Sequence, residues 1–236
     1  MKVAIHQPYF MPYIAYWSLI SSVDVFATAD NYNYIKGGWI NRNRILVNGD
    51  AHYFNIEVHH ASQNKMINEL ELADIDVPLK LRQLEVAYGR APHFREGMEL
   101  MEKVFDTEEK NLANFLFLSI GLVCDYLEID TKLIRTSDIE QDPSLKRADR
   151  IYDYCRKLGA DTYYNAIGGT ELYSFDEFAA RGMKLGFIQE IPVECHQTLG
   201  GKTGEFIPHL SIIDVIMFNS REECRKMVQS YRVITE

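Results

Sequence analysis

The residues best suited to chemistry in this chain fall in four short stretches, and the first follows directly on an apparent strand. Lys2–Ile5 reads as the opening strand of an α/β sheet, and "HQPYF" comes straight after it. In open α/β sheets the loop leaving the C-terminal end of a strand is where ligands bind. His6 there can act as a general base or donate to a phosphate, since its ordinary pKa lies near neutrality. Gln7, Tyr9 and, further on, Tyr16 bring donors and aromatic faces to the same loop. The helix expected after Pro12 adds free backbone N–H groups, which attract anions. A proline-ordered turn with His6 packed into the core is the plainer alternative.

The second stretch is "YIKGGWINRNRI", which gathers Lys36, Arg42 and Arg44 in an otherwise acidic protein. On a strand Arg42 and Arg44 share one face, and Asn41 and Asn43 share the other. Paired guanidinium forks suit a phosphate or carboxylate; an edge guarded by cations is the structural alternative. A buried arginine needs a partner, so both are expected to face the first loop and to meet Asp30 or an anion. The third stretch, "YYNAIGGTEL", places Gly168 and Gly169 after a strand with Glu171 close by, as in a backbone cradle beside an acceptor. The fourth, "LGGKTGEF", lacks a phosphate-loop signature because His196 stands where the first glycine is required. It reads as a glycine-rich lid over Gly200–Gly204.

Other chemistries find no support. His59 and His60 are adjacent, so on a strand they point apart; no zinc-type spacing, G-x-S-x-G elbow or G-x-G-x-x-G fingerprint occurs. No metal is expected. Any cofactor would be a nucleotide or an activated acyl donor.

These stretches need elements to hold them. Lys2–Ile5, a helix over about Tyr13–Ser21 and a strand at Asp24–Thr28 form a βαβ start. Asn48-Gly49 then marks the type I′ turn of a hairpin. Helical periodicity runs from Pro78 to Tyr126, and the segment from Leu112 to Leu127 is apolar nearly all round, so it belongs at the centre. Strands follow at Thr131–Arg135, Thr162–Asn165 and Met183–Ile188. Asp142 reads as the N-cap of one intervening helix and Ser174 with Glu177 as the capping box of another. Ser211 caps a further helix, and a last helix closes the chain. Alternating strands and helices on either side of an insertion at about 31–128 imply one α/β domain, 1–236, with a mainly parallel, three-layer Rossmann-like sheet. The loops after Ile5, Arg135, Asn165 and Ile188 then open on one edge.

At 236 residues, 47% hydrophobic and 25% charged, the chain can bury a large core. A net charge of −9 argues against nucleic acid as a bulk partner. The four cysteines lie far apart, as in reduced cytoplasmic proteins. No apolar run reaches the length of a membrane span, and nothing fixes the oligomeric state.

"KVAIHQPYFMPYIAYW", "VDVFATADNYNY", "INRNRI", "YYNAIGG" and "FIPHLSIIDVIMFN" together resemble the WbqC-like family, bacterial proteins associated with surface polysaccharide and O-antigen biosynthesis. Tyr13 and Ala15 stand where the family usually has Trp and Gly, and Asp30-Asn31 replaces an aspartate pair. A weaker likeness connects the first βαβ unit to nucleotidyltransferases with an H-x-G-H motif, whose two histidines fall on Tyr13 and Tyr16. The resemblance implies a place in polysaccharide biosynthesis, and the anion-binding stretches lead from there to work on a nucleotide-linked sugar. Combined with the residues, the expected activity is acyl or aminoacyl transfer to an amino sugar. His6, Asp30 and Glu171 would be catalytic, and Gln7, Tyr9, Tyr16, Lys36, Asn41, Arg42, Asn43, Arg44, Gly168 and Gly169 would bind the anionic ligand. A non-catalytic binding or assembly protein of the same pathway is the alternative.

Overall fold

Strand β1 (Lys2–His6) lies inside a six-stranded sheet with two parallel neighbours, as its apolar Val3-Ala4-Ile5 run demands. The computed structural model describes residues 1–193, 196–197 and 206–235. The Gly200–Gly204 stretch and Cys195 lie outside the described residues. After β1 come helix α1 (Ile14–Ser21) and strand β2 (Val25–Thr28). The hairpin β3 (Arg42–Val47) and β4 (Asp50–Asn55) pairs only with itself. Asn48 and Gly49 take φ of 54° and 93°, the left-handed pair a type I′ turn requires. Helices α2 (Val77–Tyr88), α3 (Phe94–Phe105) and α4 (Leu112–Leu127) follow. Then come β5 (Lys132–Arg135), α5 (Arg147–Leu158), β6 (Thr162–Ala166), α6 (Phe175–Ala180) and β7 (Lys184–Glu190). Helices α7 (Ile212–Phe218) and α8 (Arg221–Gln229) and strand β8 (Tyr231–Ile234) complete the chain.

The sheet runs β5-β2-β1-β6-β7-β8, all parallel except β8, which is antiparallel to β7. The fold is therefore mixed α/β with a mostly parallel sheet flanked by helices. Alternation along the strands divides the interior. Val3, Ile5, Val25, Ala27, Tyr163 and Phe187 face α5 and α6, whereas Ala4, Phe26, Tyr164 and Ile188 face α1, α4, α7 and α8. Trp17 is fully buried on the second side, and excluding so large a side chain from water contributes about 3 kcal/mol. Helix α4 is buried on nearly all sides, as its apolar girth requires.

Three sequence expectations are corrected. Asp142 closes an isolated turn, its carboxylate accepting from Ser144, while α5 starts only at Arg147, whose φ of 50° breaks the helix from the preceding turn. Ser174 does stand at the N-cap of α6, but its side chain makes no capping bond; the reciprocal box forms at Ser220 and Glu223 instead. The chain ends not on a helix but on β8, whose exposed, short pattern carries little apolar alternation.

Parallel pairing puts the ends of β1, β2, β5, β6 and β7 on one edge. Beginning from β1, the chain builds outward through β2 and β5, then returns to place β6 on the other flank of β1. That reversal makes the ends of β1 and β6 the topological switch point, the general ligand position of such sheets.

Candidate functional site

The loop after β1 is held from three sides. Phe10 N–H donates to Ile40 O at 3.0 Å, and Asn43 Nδ2 and Ser211 Oγ each donate to Met11 O at 2.8 Å. Ile212 N–H and Trp17 Nε1 both reach Pro12 O at 3.0 Å. Met11 sits at φ 45°, an uncommon backbone for a residue with a side chain, and these bonds hold it there. Within "NRNR" Asn43 does the fastening, because alternation along β3 turns it inward and leaves the arginines half-buried. Replacing Asn43 with Ala removes two buried hydrogen bonds, to Met11 O and from Arg44 N–H. We expect a loss of about 2 kcal/mol in urea unfolding. Faster proteolysis within residues 7–13 should accompany it; unchanged unfolding would mean that the loop is held elsewhere.

Held this way, the loop packs an aromatic cluster around His6. The rings of Tyr9 and Tyr16 meet the imidazole edge-on at 5.0 and 5.2 Å. His6 Nδ1 lies 3.1 Å from Gln7 O. A carbonyl can only accept, so Nδ1 carries the proton and the lone pair of the neutral ring sits on Nε2. Burial lowers the His6 pKa, outweighing the Gln7 bond, and keeps the ring neutral. Tyr16 donates its hydroxyl to the same Gln7 oxygen at 3.0 Å, and burial pushes its pKa well up. Gln7 itself donates to Asn33 O at 3.3 Å.

From Tyr9 the row continues along the edge. Tyr13 meets His209 edge-on at 5.4 Å, and His209 Nδ1 stands 3.9 Å from Glu190 at the end of β7. Beside them opens a cavity of about 270 Å³, lined among others by Ile14, Phe206, Leu210 and Asp214. Asp214 is buried and takes hydrogen bonds from Tyr88 at 3.0 Å and Gln197 at 2.7 Å.

The remaining expected residues distribute as follows. Arg42 gives its Nε to Gly38 O at 3.0 Å and its Nη2 to Gly37 O, with the guanidinium 4.4 Å from the Tyr53 ring. Arg44 reaches His209 O at 3.3 Å, while its buried Nε has no partner. Neither arginine pairs with Asp30, one of the two partners expected for them. Asp30 is buried and receives Thr136 Oγ1 at 3.1 Å, Ser137 N–H at 2.9 Å and Ser137 Oγ at 2.6 Å, tying the end of β2 to the turn after β5. Asn41 spans Tyr34 and Ile56. Gly169 is needed for space, since a Cβ there would lie 2.5 Å from Asn165 Nδ2. Gly168 is exposed beside it, and Lys36 and Glu171 are exposed without a hydrogen bond or ion pair among the described residues. The structure thus unites His6, Gln7, Tyr9 and Tyr16, hangs Arg44 beside His209, and leaves Asp30, Lys36 and Glu171 outside that group.

Glu190 and His209 were missed, although Glu190 ends a strand on the predicted edge and the loop rule could have named it. Arg150, described below, gave no signal beyond a charged position on a helix.

The fold defines a mixed α/β protein with a mostly parallel six-stranded sheet. The WbqC-like protein family model matches residues 7–226, and the chain belongs to that family. It is also similar to the uncharacterized protein Rv1507c of Mycobacterium tuberculosis (strain ATCC 25618 / H37Rv), at 26% identity over 224 residues, 92% of this chain and 93% of that one. No solved structure matches it. No helix among the described residues is long and apolar enough to cross a membrane.

Proposed function

We propose that the protein modifies a nucleotide-linked amino sugar in surface polysaccharide biosynthesis, transferring an acyl or aminoacyl group to the sugar amine. One observation carries this: His6, at the end of β1, is held neutral with its Nε2 lone pair free of any protein partner among the described residues. A base so placed can take a proton from the amine as the C–N bond forms and the donor's acyl bond breaks, then pass it to the leaving group. Tyr9, only partly buried, supplies a face against which a sugar or base can pack, with the buried Tyr16 ring behind it. The cavity beside Ile14 suits an acyl group. Arg42 is committed to main-chain carbonyls, which leaves Arg44, with its unpaired Nε, as the hairpin cation able to meet an anion. Glu171 remains an exposed candidate to orient the acceptor, and Asp30 serves through the loops it ties. A Rossmann-like, nucleotidyltransferase-related ancestry fits the strand order.

A binding or assembly role is the second reading, favoured by one observation: no carboxylate among the described residues contacts His6 to orient it. Thermal shift separates ligand classes. A ligand at about 100 times its dissociation constant adds about 2.7 kcal/mol, a melting shift of about 5–10 °C for a chain of this size. Nucleotide sugars should give that shift and neutral sugars should not. If no phosphorylated ligand shifts the protein at millimolar concentration, the nucleotide-sugar proposal fails.

A further inference from the structure

On the other face of the same edge, the segments after β2 and β5 converge on one cation. Arg150, in the first turns of α5, is half-buried and forms no ion pair among the described residues. Its Nη2 is shared among Asn31 O at 3.0 Å, Asn31 Oδ1 at 2.7 Å, Gln141 Oε1 at 2.7 Å and Tyr154 Oη at 3.1 Å. Every one of these acceptors is neutral. The guanidinium carbon lies 3.9 Å from the centre of the Tyr32 ring, and Nε leans on Tyr154 at 3.3 Å. Nη1 makes no hydrogen bond among the described residues.

Arg42 also stacks on a tyrosine and meets only carbonyls, but Arg150 differs in standing beside a tyrosine hydroxyl that has no hydrogen-bond partner among the described residues. A partly desolvated cation is costly unless a countercharge meets it. The other half-buried cation of this sheet edge, Arg135, has its carboxylate in Asp138 at 3.1 Å. Arg150 instead has dipoles, which orient the fork without neutralising it. Beside it, the Tyr32 hydroxyl is shielded from solvent and has no hydrogen-bond partner. Burial holds the Tyr32 pKa up at about 12, so it stays a donor. Two polar groups with unused donors therefore stand together at the edge of the sheet where ligands bind.

We propose that Arg150, stacked on Tyr32, is a phosphate-binding subsite: the free side of the guanidinium takes a phosphate oxygen, and Tyr32 donates a second bond when the ligand seats. Asn31 and Gln141 hold the fork in place and act as positioning residues. The proposal deepens the nucleotide-sugar reading by giving the diphosphate a position, and it rests on that reading only for the identity of the complete ligand.

Pyrophosphate alone tests the site, titrated calorimetrically against sulfate at matched ionic strength. Wild type should bind pyrophosphate, and Arg150→Gln should weaken it by about 10- to 100-fold, the worth of a charge-assisted hydrogen bond. Arg82→Gln, which removes the same charge from an exposed helix position, should bind as wild type does. Tyr32→Phe should fold at least as stably, since it deletes an unsatisfied hydroxyl, and should bind about 5- to 10-fold more weakly. If Arg150→Gln does not fold, Arg150→Lys replaces it: the charge stays, the fork goes, and binding should fall about tenfold. No pyrophosphate binding by wild type, or equal binding by the Arg150 variant, overturns the subsite. Pyrophosphate bound through Arg150 with no response to nucleotide sugars would sink the functional reading and keep the subsite. A nucleotide-sugar shift that persists in Arg150→Gln would do the reverse.

Discussion

Replacing His6 with Gln is expected to lower turnover with an amino-sugar nucleotide by about 10²- to 10⁴-fold, the usual worth of a general base. Glutamine fills similar space and can keep a bond to Gln7 O, but its amide cannot accept a proton. The melting shift given by the nucleotide sugar should survive, because the ring is assigned proton transfer rather than phosphate binding. The pH profile gives a second check. Burial lowers the His6 pKa below its ordinary 6.5. The base form is then lost only as pH falls through that lowered value, so the acidic limb of kcat/KM should lie below pH 6.5. A limb above pH 6.5 would point to another base. Loss of the melting shift together with turnover would make His6 a ligand contact instead.

The second large effect concerns Asp214 and stability. Burial raises its pKa from 3.8 to about 6, against the opposing hydrogen bonds from Gln197 and Tyr88. The folded state therefore holds a proton that the unfolded chain has already released. That contribution is fully present below pH 3.8 and is lost as pH rises through about 6. Across the whole window it amounts to about 3 kcal/mol, at 1.36 kcal/mol per unit, with about 2 kcal/mol of it between pH 4.5 and 7.5. His6, whose pKa moves down, opposes this trend, so the comparison must be with Asp214→Asn. Asparagine can still accept from Tyr88 and does not ionise. The stability of wild type relative to this variant should fall by about 2 kcal/mol from pH 4.5 to 7.5 in urea unfolding. A difference that does not change with pH would mean Asp214 titrates as an ordinary carboxylate. Asp214 also lines the cavity beside Glu190. A polar ligand there that shields the carboxylate should shift the same curve.

Much of the scaffold was legible because it is encoded locally. An apolar run followed by proline gives β1 and its loop, Asn48-Gly49 gives the hairpin turn, and the apolar girth of Leu112–Leu127 gives a central helix. These signals depend on backbone preference and on periodicity, both of which act within a few residues. The shared edge followed from the alternation of strands and helices. Local signals also misled where a competing geometry won. Asp142 satisfies a turn as readily as a helix start, and Ser174 can occupy an N-cap without bonding. The chain's last strand has too little alternation to be seen before β7 is there to pair with it.

The sequence by itself determined that His6, Gln7, Tyr9 and Tyr16 follow a buried strand, and therefore stand at the mouth of a sheet. Partners were decided only by tertiary structure. "NRNR" names four polar residues, but the packing of β3 against the first loop made Asn43 its fastener, while Arg42 was tied to glycine carbonyls. Asp30 and the arginines are close in sequence, yet the parallel pairing of β2 with β5 handed the carboxylate to Thr136 and Ser137. Glu190 met His209, and Arg150 met Asn31 119 residues away, because strand order and helix crossings juxtapose them. Charge pairing depends on distances through space, and those are set by the global packing of the core rather than by spacing along the chain.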